Sequence, residues 1–150
     1  YGNDNLFFPM FLGYPGMVRG YSSRSIYESN MFIENENLIN MLVGNRIAMA
    51  SAEIRLPLTG PRRLALIPSG FLFTEASLFF DSGLAWTKDN KPTLDPDKIA
   101  GGRRFPVFST GASIRINLFG AMVLEPYYAF PFINQGITKG VWGLNFQPGW

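Results

Sequence analysis

Between Pro106 and Leu118 apolar and polar residues alternate in one phase: Phe108, Ala112, Ile114, Ile116 and Leu118 fall on one side, Ser109, Ser113, Arg115 and Asn117 on the other. Side chains of a strand point alternately to opposite faces, so the stretch predicts a strand with one apolar and one wet face; a helix would mix the two sets. The same period governs four more stretches. In Asn45–Leu58, Ala48, Ala50, Ala52, Ile54 and Leu56 oppose Met49, Ser51, Glu53 and Arg55. In Phe71–Trp86, Leu72, Ala76, Leu78, Phe80 and Leu84 oppose Glu75, Ser77 and Asp81. Ala121–Phe132 sets Met122, Leu124, Tyr128, Phe130 and Phe132 against Glu125 and Tyr127, although Pro126 counts against a central strand because it cannot donate to a ladder. A last strand after Asn134-Gln135-Gly136 sets Trp142, Leu144 and Phe146 against Lys139, Asn145 and Gln147.

Five amphipathic strands fit either of two solvents. A soluble antiparallel barrel or sandwich would turn the apolar faces inward, and a membrane barrel would turn them to lipid. Composition leans toward the second: only 16% of residues are charged and 47% are hydrophobic, against about 25% charged in an ordinary soluble domain. No apolar run approaches the roughly 20 residues of a membrane helix, so a crossing would have to be made by strands. In lipid each Arg or Lys near the midplane costs about 2–4 kcal/mol, so the wet faces would then have to line a lumen.

Residues 1–43 are rich in Asn, Gly, Tyr and Phe and lack sustained alternation, apart from a helical turn or two predicted within Glu36–Val43. So long a loop in a compact domain points to a function. A second polar loop covers 87–104, whereas Phe119-Gly120 makes a tight turn, an asymmetry typical of outer-membrane barrels. The chain begins at Tyr1 rather than Met and shows no signal peptide, which leads us to expect a piece of a longer polypeptide.

Several chemistries are excluded. Without His or Cys there is no Ser-His or Cys-His catalysis, no imidazole or thiolate metal site and no disulfide. A net charge of +2 with scattered basic residues gives no nucleic-acid footprint. Asp89, Asp95 and Asp97 lack the spacing of an EF-hand loop and read as a solvated acidic loop. We identify no catalytic residues, no metal ligands and no cofactor.

Val18-Arg19-Gly20-Tyr21 in the first loop resembles the lumen-inserted loop motif of BamA-type outer-membrane assembly barrels, the bacterial surface antigen superfamily. Phe80-Asp81-Ser82-Gly83-Leu84-Ala85-Trp86 resembles that family's aromatic-Asp-x-Gly strand motif, and Ser109–Phe132 its pair of strands near the end. Glu53 stands where the family has an acidic residue on the strand after the loop. The tail is also similar to Bacteroidetes proteins that join a β-propeller to such a barrel. One departure is the end, where Pro148-Gly149 interrupts alternation before Trp150, in place of a terminal strand closing on an aromatic residue.

The resemblance implies an all-β fold: the C-terminal strands of an antiparallel transmembrane β-barrel (residues 44–150) with a long plug loop (1–43). It implies location in the bacterial outer membrane and a non-enzymatic role in protein insertion or translocation; the alternative is a barrel that anchors an attached binding domain such as a β-propeller. The implied partners are outer-membrane lipid, the remainder of the barrel from the same polypeptide, and other proteins. The Arg19 fork would reach Asp81, with Glu53 close by, while Gly20 permits a positive φ, Tyr21 packs on the wall and Gly83 completes the strand motif. Judged from the residues alone, Arg19 reads as an exposed loop cation and the two acids as solvated groups. Trp86, Tyr127, Tyr128, Phe130, Phe132 and Trp142 are candidates for an interfacial girdle. Five strands are too few to close a membrane barrel, which needs at least about eight.

Overall fold

The computed structural model describes residues 8–28, 38–70, 72–133, 136–137 and 139–148. Phe71, Asn134, Gln135, Gly149 and Trp150, on which some of the sequence expectations fall, lie outside these. Five long antiparallel strands dominate: β3 (Arg46–Gly60), β5 (Leu72–Trp86), β6 (Val107–Leu118), β7 (Met122–Ile133) and β9 (Val141–Pro148). They pair in chain order β3-β5-β6-β7-β9 as one curled half-barrel sheet. The short strand β4 (Ile67–Pro68) folds back in parallel on the end of β3, and β8 (Gly136–Ile137) opens the return from β7. Between β8 and β9 the register on β7 shifts by one residue, so the last strand is broken rather than continuous.

Pro126 does sit in a central strand, between β6 and β9. The cost is visible in the ladder: on the β6 side, pairing is lost between Ser113↔Tyr127 and Ile116↔Leu124, where the proline has no N–H to offer, while Pro126↔Leu144 pairs on the β9 side.

The first loop is more structured than its composition suggests. Strands β1 (Met10–Phe11) and β2 (Val43–Gly44) pair antiparallel and clamp its two ends, and it carries helices α1 (Ser23–Glu28) and α2 (Leu38–Leu42). Leu12, Val18, Tyr21, Ile26, Leu38, Met41 and Leu42 are all buried, so the loop lies on the sheet and supplies much of its core.

Which face the loop covers decides the architecture. Phe79, Asp81, Gly83 and Ala85 of β5 and Glu125, Tyr127 and Ala129 of β7 lie beneath it, buried. On the opposite face Ile54, Leu78, Phe80, Ile114, Trp142 and Leu144 are exposed, Ile54 and Leu78 by 77% and 64%. Charge is inside and hydrocarbon outside, the reverse of a soluble sandwich, and so large an apolar face calls for an apolar solvent. Tyr127 departs from the expected girdle: it faces inward, edge-on to Phe79, whereas Tyr128, Phe130 and Trp142 pack together on the outer face.

Candidate functional site: an arginine clamped on the inner face

The site forms where the loop tip meets the middle of the sheet. Gly16 and Gly20, both at positive φ (84° and 90°), turn the chain on either side of Met17-Val18-Arg19 so that the arginine is driven down onto the inner face. A side chain at Gly20 would also crowd the Ala129 methyl at 3.1 Å.

Arg19 meets acceptors from three strands. Its Nε donates to Asp81 Oδ2 at 2.7 Å and its Nη2 to Asp81 Oδ1 at 2.9 Å, a bidentate fork to β5. Nη1 donates to Glu125 Oε1 of β7 at 2.9 Å, and Nη2 lies 2.7 Å from Glu53 Oε1 of β3. The backbone N–H of Arg19 adds a longer bond to Asp81 at 3.3 Å, and the guanidinium carbon sits 3.6 Å from the centre of the Phe79 ring. Burial by itself would lower the pKa of Arg19, but the hydrogen bond and charge of Asp81, followed by Glu53 and Glu125, outweigh it and raise the value above the ordinary arginine range. The cation is therefore permanent.

Each carboxylate is braced from behind. Ser51 donates to Asp81 Oδ1 at 2.7 Å, and Arg55 pairs with Glu53 Oε2 at 2.6 Å. Ser113 donates to Glu125 Oε1 at 2.9 Å and exchanges a 2.6 Å hydrogen bond with Ser77, while Asn145 approaches Glu125 Oε2 at 3.4 Å. Five strands and the loop thus share one buried polar network, satisfied at every acid, the condition under which buried charge is tolerated. Its hydroxyls and carboxylates are engaged with one another, so the arrangement holds the loop; it presents no free nucleophile beside a base.

The flanking residues fill shape. Val18 fits over Gly83, where an added Cβ would come within 2.6 Å of Val18 Cγ2 and 3.1 Å of Leu12 Cδ1. Tyr21 is fully buried and its hydroxyl lies 2.9 Å from the Phe108 carbonyl and 3.0 Å from that of Phe132, bridging β6 and β7. Burial pushes its pKa well up, so it stays a neutral donor. Tyr21→Phe keeps the ring and strips the donor; we expect it to lower stability by about 1–2 kcal/mol, read as a lower urea midpoint of the folded barrel.

A family model for the Omp85 superfamily domain matches residues 8–149. The chain belongs to the Omp85 superfamily. Its members are bacterial outer-membrane β-barrel proteins of the insertion and translocation class rather than enzymes. No curated protein and no solved structure matched the chain.

Within this Omp85 chain, Val18, Arg19, Gly20 and Tyr21 come together with Asp81, Glu53 and Gly83. Sequence reasoning placed Glu125 on the wet face of its strand but did not single it out as a partner of Arg19; Ser51, Phe79 and Tyr127 went unremarked as parts of the site. The available signal was phase: each lies on the same inward alternation as Glu53 or Asp81. Among the acids of the second loop, Asp95 caps the 3₁₀ helix Pro96–Gly101 through the Asp97 N–H and pairs with Lys98 at 2.9 Å. No cluster of three acids suited to a metal occurs among the described residues.

Proposed function

We propose that these residues are the C-terminal wall of an outer-membrane barrel of the assembly and translocation class, non-enzymatic, with 1–43 as a lumen-inserted loop and 44–150 as barrel strands. Val18-Arg19-Gly20-Tyr21 is the plug tip and Asp81, Glu53 and Glu125 are its lumen acceptors. The observation that carries this reading is the buried Arg19 fork, held by carboxylates from three strands on the face opposite the exposed hydrocarbon. Omp85 membership supports the same class of function.

The open edges support a larger barrel. Among the described residues β3 is paired on its outer edge only at Thr59 and Gly60, by β4, and β9 is paired only with β7. Unsatisfied edges cannot stand in hydrocarbon, so further strands, of the same polypeptide or of another chain, complete the wall. Insertion activity is tested by placing the intact protein in phospholipid vesicles and following the folding of an unfolded client barrel. Faster folding than in empty vesicles is the expected result. An intact, correctly folded barrel that gives no acceleration would contradict the insertion role and leave anchoring of an attached domain as its function.

A further inference from the structure

The second loop carries a feature the plug does not use. The 3₁₀ helix ends at Gly102, whose φ of 79° turns the chain so that Arg103 and Arg104 return beside a cavity of about 130 Å³, with Asn40 of α2 and Asn90 also on its wall. The backbone of Arg104 is fixed on both sides, its N–H donating to Lys91 O at 3.1 Å and its carbonyl accepting from Thr93 at 2.8 Å. Neither arginine has a carboxylate in ion-pair range among the described residues. The Nε of Arg104 is shut off from solvent and has no acceptor among the described residues. Its Nη2 has one neutral acceptor: Asn90, with its amide turned to donate to Gly102 O at 3.1 Å, accepts from it at 3.3 Å.

A half-buried guanidinium with no carboxylate beside it is costly unless something anionic meets it. Burial with no compensating charge also depresses the pKa of Arg104, the opposite of what three carboxylates do for Arg19. A tetrahedral phosphate has oxygens enough for two arginines and an amide, and the cavity has room for one.

We propose that the cavity between α2 and the second loop is a binding site for a phosphate group, held by the Arg103 and Arg104 guanidinium groups with the Asn40 and Asn90 amides at its rim. The phosphate is either that of a lipid headgroup or a free ion. The test is calorimetric titration of the intact protein, in a phosphate-free neutral detergent, with inorganic phosphate and separately with short-chain phosphatidic acid. Saturable binding is expected, weakened about tenfold or more by Arg104→Ala, less by Arg104→Lys, and not at all by Lys139→Ala. Tighter binding of phosphatidic acid assigns the site to a lipid headgroup, and equal binding to the free ion. Absence of saturable binding of either probe to the wild-type protein overturns the proposal, as does equal binding by folded Arg104→Lys and Arg104→Ala variants and wild type.

Discussion

Arg19→Ala should lower the stability of the folded barrel by about 3–5 kcal/mol, the range for removing one partner from a buried ion pair. The side chain is 7% exposed, Asp81 is 2% and Glu125 is 7%, so the three acids it leaves behind cannot fall back on bulk water, apart from Glu53 at 16%. Glu53 also keeps Arg55, so the loss falls mainly on Asp81 and Glu125. Asp81→Ala should cost a similar amount, and the double variant little more than either single one, because the second substitution removes a group already stranded by the first. Urea unfolding of the intact barrel in detergent, monitored by tryptophan fluorescence, measures all three variants. Additive losses would mean that Arg19 and Asp81 do not interact.

Gly83→Val should displace the loop with a cost of about 3 kcal/mol, the upper part of the usual range for overpacking. Valine suits a strand, so β5 itself should survive. Its side chain, however, needs the space of Val18 Cγ2, 2.6 Å from where the new Cβ stands. The expected signature is a loop newly open to protease near Arg19 in a barrel of unchanged β content. Val18→Ala removes the colliding methyl and should restore part of the loss in the Gly83→Val background. Equal protease resistance in Gly83→Val and wild type would show that Val18 does not sit over Gly83 in the membrane.

The strands were legible because period two is a local property. Ser109 through Leu118 announce their own faces, and the tight turn at Phe119-Gly120 is written in the pair itself, Phe119 taking a φ of 55° and Gly120 one of 74°. The faces of Glu53, Asp81 and Glu125 are equally local. Which acids a loop residue reaches is not: Arg19 joins Glu125 across 106 positions, a distance set by sheet curl and strand register, neither of which the period carries. Pro126 misled for a related reason. A proline interrupts the ladder on the β6 side, but Tyr128 packed against Phe130 and Trp142 on the outer face and the Glu125 and Tyr127 contacts on the inner one hold β7 central regardless. In the loop, α2 falls within the helical turns expected at Glu36–Val43, whereas α1, 6 residues long, is too short for helical periodicity to show and is stabilised by packing of Ile26 on the sheet.

The central claim, that the loop sits inside the wall with Val18 on Gly83, is tested most directly by a cysteine pair. The 150 residues contain no cysteine, so Val18→Cys with Gly83→Cys places the only two thiols of this region within bridging reach. In the intact barrel in native membranes, mild oxidation should link them in nearly every molecule and leave neither thiol open to a bulky maleimide. Two free thiols, both labelled under the same conditions in a folded barrel, would contradict the account.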